Sequence, residues 1–405
     1  MRRKTFLFLQ GPHGPFMRHL SRSLTSEGHR VLRVYLNWGD STTCRTSTRL
    51  KYRGKPENFQ QWAAEQIEQQ GVTDVLLYGD CRYYHQQVMA LKERYNLKIW
   101  VLEEGYLRPS WVTLEQNGVN ANSDIPKRFR TWLSQKPLKD FVPDCYEHPA
   151  PVGRGLRGLV FWCIVYYLRR FVGTPFYPHY RTHRPVSYLR EGVAWLRKLA
   201  AQQLGRKRRS DELFRRLLAE QTPFFLIPLQ LDADAQIRFH SPYKNIRAFI
   251  EEVMCSFAQH APAGTMLVVK SHPLDSEVID YRKVVANHAR QLGIANRVLF
   301  LESGDIPKLL RHALGLVTVN STVGLQSIHH GCPTKVMGRA IYDHSNMTAQ
   351  CSLDAFWQQL PKPDTQQYKL FRCFLLEDCQ INGNFYTIRG RKLLIPEITR
   401  RLTQG

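Results

Sequence analysis

Two pairs of carboxylates in this chain have positions that suit acid, base or nucleophilic chemistry. Asp232 and Asp234 lie in the segment Gln-Leu-Asp-Ala-Asp-Ala-Gln, which directly follows an apolar run at 224–229. Glu103 and Glu104 follow another apolar run and precede a glycine. A carboxylate at such a strand end can transfer a proton, attack a sugar carbon or stabilise a positively charged sugar centre. An Asp-x-Asp pair can equally cap a helix or bind a metal, and paired glutamates can form a salt-bridged strand end, so the pattern alone leaves these alternatives open.

Two further polar segments have the residue types of an anion-binding site. Lys270 and His272 belong to a Lys-Ser-His-Pro segment after the apolar run 266–269, and Asn-Ser-Thr-Val-Gly-Leu begins at Asn320 after the run 316–319. Hydroxyl and backbone N–H groups at the start of a helix bind phosphate, and lysine and histidine add positive charge. Either motif alone is compatible with a simple helix cap. Together, in the same half of the chain, they predict a phosphate-binding site.

A glycine-rich turn follows the first apolar run. The segment Gln-Gly-Pro-His-Gly-Pro-Phe at 10–16 contains Gly11, His13 and Gly14. A turn of this kind that opens a helix presents unpaired N–H groups to a phosphate or carboxylate. It lacks the GxGxxG spacing of a dinucleotide site. Because a glycine-rich first turn also occurs in α/β folds that bind nothing there, the turn alone does not decide between the two interpretations.

The elements that must position these loops are two series of alternating strands and helices. In the first series we predict strands at 5–9, 31–36, 74–78 and 98–102, and helices at 16–27, 58–69 and 83–95. In the second we predict strands at 224–229, 266–269, 297–301, 316–319 and 334–337, and helices at 245–259, 281–292, 306–312 and 323–330. Apolar runs separated by amphipathic helices indicate parallel sheets covered on both faces, which bind ligands at the carboxyl ends of their strands. The sequence therefore predicts an α/β protein with two Rossmann-like domains and a cleft between them.

We assign residues 1–215 to an N-terminal domain, 216–370 to a C-terminal domain, and 371–405 to a tail that packs back on the first domain. Residues 150–215 form an insert in the first domain. Its stretch 157–170 is apolar and aromatic with arginines at both ends, and a basic run at 206–209 follows. Tryptophan, tyrosine and arginine favour the interface of an anionic membrane, although a buried helix beside a solvated basic helix is the alternative. The apolar part is far shorter than the roughly 20 residues that span a bilayer.

The composition narrows the class of protein. A net charge of +23 attracts anions such as nucleic acid, anionic lipid or phosphorylated substrates. The chain contains no helix-turn-helix, zinc-finger, RRM or KH pattern, which argues against a nucleic-acid-binding protein. Nine cysteines without a CxxC pair predict reduced thiols in a cytosolic protein. The apolar run at 5–9 is too short for a signal peptide and favours a first strand.

The ordered set of motifs resembles the KpsS-type capsule polysaccharide proteins, a family of β-Kdo glycosyltransferases. The opening Phe-Leu-Gln-Gly-Pro-His-Gly-Pro-Phe is similar to the start of that family. The Glu-Glu-Gly-Tyr-Leu-Arg, Gln-x-Asp-x-Asp, Lys-Ser-His-Pro and Asn-Ser-Thr-Val-Gly segments resemble the wider capsule-synthesis Kdo transferases. These matches occur in order along most of the chain, and the ordered set is more specific than any single motif.

The resemblance implies a GT-B-like fold and the transfer of Kdo from CMP-β-Kdo, with retained configuration, to a lysophosphatidylglycerol acceptor. It implies that Asp234 is the catalytic aspartate, with Asp232 as the alternative, and that Glu103 matches a family carboxylate beside which Glu104 replaces an aspartate. The expected donor-binding residues are Gln230, Lys270, His272, Pro273, Asn320, Ser321, Thr322 and Gly324. The expected acceptor-side or anion-binding residues are Gly11, His13, Gly14 and Arg108.

The resemblance demands no metal and no cofactor, since CMP-β-Kdo is a substrate. It implies a cytoplasmic protein, peripheral at the inner face of the cytoplasmic membrane, with an anionic lipid acceptor, other capsule synthesis or export proteins as partners, and no nucleic acid. A non-catalytic export or scaffold protein is the main alternative, followed by a nucleic-acid-binding protein.

Overall fold

The computed structural model describes residues 3–43, 48–135, 149–182, 188–232 and 234–404. Ala233 of the Asp-x-Asp segment and residues 183–187 of the expected insert lie outside this part of the chain. The chain forms two compact units. Unit 1 comprises Met1–His183 and Cys373–Gly405, and unit 2 comprises Arg184–Arg372.

Unit 1 contains a seven-stranded sheet. Its strands are β1 Thr5–Phe8, β2 Arg30–Tyr35, β3 Thr48–Lys51, β4 Asp74–Tyr78, β5 Lys98–Glu104, β6 Trp111–Gln116 and, from the end of the chain, β12 Gln380–Asn382. The order is β12-β6-β5-β4-β1-β2-β3. Strands β1 to β5 are parallel, and β6 is antiparallel to both β5 and β12. The order reverses between β1 and β4, where sheets of this kind bind ligands.

Helices cover both faces of this sheet. They are α1 Phe16–Ser26, α2 Phe59–Gln70, α3 Tyr83–Met89, α4 Lys92–Tyr95, α5 Ile125–Gln135, α6 Leu156–Val172 and α16 Ile388–Gln404. Successive residues of β1 alternate between two apolar clusters, with Phe6 and Phe8 in one and Leu7 in the other. Such continuous apolar strands form because both faces of a parallel sheet are buried.

The C-terminal residues complete unit 1. Strand β12 pairs with β6, and Phe385, Leu394 and Ile398 are buried in the same cluster as the phenylalanines of β1. Thr399 Oγ1 also donates to Ser23 Oγ of α1 at 2.9 Å. The last helix is therefore part of the core of unit 1.

Unit 2 contains a five-stranded parallel sheet. Its strands are β7 Phe224–Pro228, β8 Met266–Lys270, β9 Val298–Leu301, β10 Gly315–Thr318 and β11 Thr334–Val336, in the order β11-β10-β7-β8-β9. Its helices are α7 Tyr188–Ala201, α8 Lys207–Ala219, α9 Ala235–Arg238, α10 Ile246–His260, α11 Tyr281–Gln291, α12 Ile306–His312, α13 Val323–His329 and α14 Leu353–Gln359. Helix α15, Thr365–Asp378, contains the boundary between the units. The predicted α/β class with parallel, Rossmann-like sheets is confirmed.

Helices α7 and α8 group with unit 2, although the sequence analysis places residues up to 215 in the N-terminal domain. The side chains explain the difference. Lys198 Nζ donates to the carbonyl of Asp275 at 2.5 Å, and Arg206 Nε pairs with Glu302 at 2.6 Å. The hydroxyl of Ser210 accepts from the backbone N–H groups of Glu302 and Ser303, at 2.9 and 3.0 Å.

Two further observations concern the cysteines and the membrane. Among the described residues, six cysteines are free thiols and Cys373 is disulfide-bonded, so the expectation of reduced thiols is wrong at Cys373. Within the described residues, no helix has the length and apolarity needed to cross a bilayer.

Candidate active site

The polar segments of unit 2 meet at one edge of its sheet. Because β7 lies between β10 and β8, the loops that follow these three parallel strands are neighbours at the carboxyl edge. The strand order also reverses between β7 and β10. A crevice opens at such a reversal and is the usual ligand site of an open α/β sheet.

A buried amide pair joins the loops on either side of this reversal. Gln230 Nε2 donates to Asn320 Oδ1 at 3.0 Å, and the backbone N–H of Asn320 donates to Gln230 Oε1 at 3.3 Å. Asn320 Nδ2 then donates to the carbonyls of Gln236 and His240, at 2.9 and 3.1 Å. Gln230 and Asn320 are 7% and 6% exposed. Their hydrogen bonds fix the spacing of the two loops, which is a positioning role.

The two aspartates after β7 have different surroundings. Asp232 Oδ1 accepts from the backbone N–H of Ile246 at 2.9 Å, and Oδ2 accepts from the hydroxyl of Tyr281. Both carboxylate oxygens of Asp232 are thus engaged in holding α10 and α11. Asp234 Oδ1 accepts from the N–H of Gln236 at 3.0 Å at the start of α9, and the residue is half-buried. Asp232 thus holds two helices of unit 2, whereas Asp234 accepts from the start of α9.

The loop after β8 is fixed by two buried lysines. Lys270 Nζ donates to the carbonyls of Ser271 and Glu302, at 2.9 and 3.1 Å, and burial lowers the pKa of Lys270 to about 8. Lys198 Nζ of α7 donates to the carbonyls of Pro273 and Asp275. The backbone N–H of Leu274 donates to His272 Nδ1 at 3.1 Å, which orients the imidazole. Lys270 thus stabilises the loop that carries His272 and Pro273.

The loop after β10 carries Ser321 and Thr322. Ser321 Oγ accepts from the N–H of Val323 at 3.2 Å, and the Ser321 carbonyl accepts from the Tyr342 hydroxyl at 2.5 Å. A Cβ at Gly324 would lie 2.2 Å from that hydroxyl oxygen. Gly324 is therefore required for the packing of Tyr342 and is itself buried.

The carboxyl edge of the unit 1 sheet carries Glu103 and Glu104 at the end of β5. Glu104 Oε1 accepts from the hydroxyls of Tyr78 and Tyr386, at 3.1 and 3.2 Å. Burial and the neighbouring Glu104 raise the pKa of both tyrosines well above the usual value, so both remain donors. Glu103 Oε1 accepts from the N–H of Glu104 at 3.0 Å. The tyrosines hold Glu104 in one orientation.

The glycine-rich turn after β1 is packed against α6. A Cβ at Gly14, where φ is +104°, would lie 2.9 Å from the ring of Trp162, and one at Gly11 would lie 2.3 Å from Met17 Cγ. The His13 ring lies 4.3 Å from that of Tyr166. Gly14 thus allows the close approach of Trp162, and Gly11 that of Met17.

A buried polar network lies beneath this turn. Gln10 Nε2 donates to Asp40 Oδ1 and to the Tyr180 hydroxyl, both at 3.1 Å. Asp40 also accepts from two backbone N–H groups, and burial raises its pKa despite these bonds. Arg108, in contrast, is exposed and donates to the Gly105 carbonyl at 3.3 Å.

Sequence reasoning missed the residues that support the predicted ones. These are Tyr78, Tyr386, Lys198, Tyr281 and Tyr342. Two of them had a detectable feature, since Tyr78 is the last residue of a predicted strand and Tyr281 the first residue of a predicted helix. The others come from distant parts of the chain.

Chemically, the neighbouring loops at the carboxyl edge of the unit 2 sheet carry a half-buried carboxylate, two hydroxyls and an imidazole. Such a set can bind a phosphate and act on the carbon attached to it. The edge of the unit 1 sheet offers an oriented carboxylate pair that can accept a proton.

Comparisons with known proteins agree with the motif pattern. Residues 73–386 match a family described as capsule polysaccharide biosynthesis protein. The chain is 35% identical to the capsule polysaccharide export protein KpsS of Escherichia coli, over 95% of this chain and 97% of that protein. It is 34% identical to the capsule polysaccharide modification protein LipB of Neisseria meningitidis, over 95% and 92% of the two chains. A structure of Thermosulfurimonas dismutans KpsC, beta Kdo 2,7 transferase, aligns with 98% of this chain and 100% of its own, at 14% identity and a TM-score of 0.47.

Proposed function

This chain belongs to the capsule polysaccharide biosynthesis family, and on that premise we propose that it is a glycosyltransferase that uses CMP-β-Kdo. The single observation that supports the proposal is the arrangement of three loops at the carboxyl edge of the unit 2 sheet. There, Asp234 follows β7 between one loop with Ser321 and Thr322 and another with His272. A carboxylate and phosphate-binding groups on adjacent strand ends suit a nucleotide-sugar donor.

In this proposal the bond between Kdo C2 and the CMP phosphate oxygen breaks, and CMP leaves. His272, Ser321 and Thr322 bind the phosphate and stabilise the charge that develops on it. Asp234 attacks or stabilises the sugar carbon, and retention of configuration follows if a second displacement by the acceptor completes the transfer. Positive groups and N–H donors can supply this stabilisation without a metal.

The proposed acceptor is lysophosphatidylglycerol, whose hydroxyl loses a proton as the new glycosidic bond forms. Glu103 and Glu104 are the candidate bases, since Tyr78 and Tyr386 keep Glu104 oriented. With a lipid acceptor, the enzyme acts at the inner face of the cytoplasmic membrane alongside other capsule synthesis or export proteins. The net charge of +23 suits both an anionic donor and an anionic lipid.

The test is transfer to a fluorescent lysophosphatidylglycerol, with CMP-Kdo generated in situ and the product identified by mass spectrometry. The proposal predicts a product heavier by one or more Kdo units. A parallel reaction with other CMP- and UDP-sugars should give none. If product forms with one of those sugars instead, that sugar and not CMP-Kdo is the donor.

The name of the Escherichia coli relative, an export protein, favours a non-catalytic role in export as the second candidate. That role predicts no sugar transfer from any donor. It also predicts that variants of Asp234 and His272 retain function in capsule assembly.

A further inference from the structure

Helix α6 exposes an apolar face to solvent. Leu156, Val160, Phe161, Ile164, Leu168 and Phe171 are 48% to 76% exposed. Apart from the adjacent pair Val160 and Phe161, they recur at intervals of three or four residues. The opposite side of the helix is packed against unit 1. There, Gly158 contacts Tyr386, Trp162 contacts Gly14, and Tyr166 accepts from Asn37. The helix is therefore fixed to the protein by one face and presents its apolar residues outward, the reverse of a surface helix in a soluble domain.

The charges on α6 itself and just before it are positive. The helix contains no Asp or Glu, and Arg154, Arg157 and Arg169 are exposed near its two ends. Apolar residues bounded by arginine are typical of helices that lie in the interface of an anionic bilayer.

A cluster of cations lies on α1 and α16 of the same unit. Arg391 is 8% exposed; its Nη1 donates to the Phe385 carbonyl at 3.2 Å, but its Nε has no acceptor. The Nε of Arg18 is also buried without an acceptor. Burial and the nearby Arg18 lower the pKa of Arg391, and Arg391, Arg18 and Arg22 all lie close enough to lower the pKa of His19, although burial is the main cause there.

Among the residues that the structure describes, this cluster forms no ion pair with a carboxylate. Across the described ranges of the chain, no carboxylate lies within 4.0 Å of the Arg18, Arg22 or Arg391 guanidinium nitrogens. A buried cation without a carboxylate partner is costly unless an anion from outside neutralises it.

The cluster lies beside the first turn of α6. The residues on either side of Phe385 contact that turn, since a Cβ at Gly155 would lie 2.8 Å from the Asn384 side chain and one at Gly158 would lie 2.6 Å from the Tyr386 carbonyl. The carbonyl of Phe385 itself binds Arg391. The cation cluster thus lies next to the segment 384–386, on which the first turn of α6 packs.

We propose that the outward face of α6 lies in the interface of a phospholipid bilayer, and that Arg18, Arg22 and Arg391 bind the phosphate of an anionic lipid headgroup there. The apolar side chains enter the boundary between headgroups and acyl chains. The arginines select anionic lipid. This docking surface does not depend on the transfer reaction, because it needs neither the donor nor the catalytic carboxylates.

The experiment is co-sedimentation of the full chain with vesicles, without any sugar donor. Wild type should bind vesicles of phosphatidylglycerol and phosphatidylethanolamine and bind phosphatidylcholine vesicles much more weakly. The double variant Ile164→Asp/Leu168→Asp should bind the anionic vesicles at least about tenfold more weakly, since apolar insertion is lost. Arg22→Gln should weaken binding about fivefold, the effect of one cation at an anionic surface.

Matched controls distinguish the effect of this surface on vesicle binding from the effects of net charge and of misfolding. Arg94→Gln removes an exposed cation elsewhere in unit 1, and Val278→Asp adds a charge at an exposed apolar residue of unit 2; both should bind like wild type. All of these variants should keep the wild-type thermal transition.

Three results would overturn the proposal. The first is equal binding of wild type and the double variant. The second is equal weakening by the control variants. The third is a thermal stabilisation by inorganic phosphate alone that Arg18→Gln abolishes while vesicle binding is unchanged, which would assign the cluster to a soluble anion.

Discussion

At the scale of single residues, several of the predicted polar groups hold loops in place. Gln230, Asn320 and Lys270 hold loops, because their polar atoms are engaged with backbone or side-chain groups of this protein. The sequence could place both Asp232 and Asp234 after a strand but could not separate them. The distinction depends on Tyr281, which is far along the chain and reaches Asp232 only in the fold.

Lys270 gives a prediction about pH. Burial, assisted by Lys198 and opposed by Glu302, lowers its pKa from 10.5 to about 8. Below pH 8 the lysine is charged in both the folded and the unfolded state, so the folded state bears the full cost of the buried charge. Between the two pKa values the unfolded chain binds more protons, so the Lys270 contribution to the free energy of unfolding rises with pH, by about 3 kcal/mol in total.

The check is denaturant unfolding of wild type and Lys270→Met at a series of pH values. The free energy of unfolding of wild type minus that of the variant should increase from pH 8 to pH 10.5. Taking the difference removes the contributions of the other groups that titrate in this range. A difference that stays constant across this range would show that Lys270 keeps an ordinary pKa.

At the scale of elements, continuous apolar runs identified the central parallel strands, because a strand buried on both faces has no polar alternation. Strands β3, β6 and β12 were missed. They are short or carry polar residues, and β3 is largely exposed, so none forms a continuous apolar run. The predicted helix at 83–95 is interrupted, with α3 ending at Met89 and α4 beginning at Lys92. No local sequence feature predicts this break in the helix.

The contact between α6 and the glycine-rich turn leads to a second prediction. Gly14→Ala should destabilise the protein because alanine disfavours φ of +104° and its Cβ would meet Trp162 at 2.9 Å. Gly28→Ala is the matched control, since Gly28 has φ of +86° with nothing within 4 Å of a built Cβ. Thermal and denaturant unfolding should show a loss at Gly14 that exceeds the loss at Gly28 by about 1 kcal/mol or more. Equal losses would mean that α6 does not pack closely on the turn.

At the scale of the whole molecule, the sequence analysis found two α/β series but placed one boundary differently from the structure. The hydrophobic pattern of α7 and α8 does not reveal which sheet they join. Their place beside the unit 2 sheet is fixed by Lys198, Arg206 and Ser210, whose partners lie around the loops after β8 and β9. Long-range polar contacts of this kind have no periodic signature.

The C-terminal helix provides a third prediction. Deleting 388–404 would remove Leu394, Ile398 and Leu402 from the core of unit 1 and expose the apolar side of α1. Hydrogen exchange should show loss of amide protection in β1, β4 and β5, with protection retained in β7, β8 and β10. Removing only Gln404 and Gly405 should leave both sheets protected. Loss of amide protection in the sheets of both units, or no loss in either sheet, would contradict the assignment of this helix to the core of unit 1.

The most direct test of the central claim compares Asp234→Asn with Asp232→Asn in the transfer of Kdo from CMP-Kdo to fluorescent lysophosphatidylglycerol. Asparagine still caps a helix, so Asp234→Asn should leave the thermal transition nearly unchanged while lowering the rate at least about a hundredfold. Asp232→Asn should lower the free energy of unfolding by about 1–2 kcal/mol through its weakened bonds to Tyr281 and Ile246, and retain measurable transfer. A fully active Asp234→Asn enzyme, or an Asp232→Asn enzyme that is stable but inactive, would contradict the assignment of Asp234 as the catalytic carboxylate.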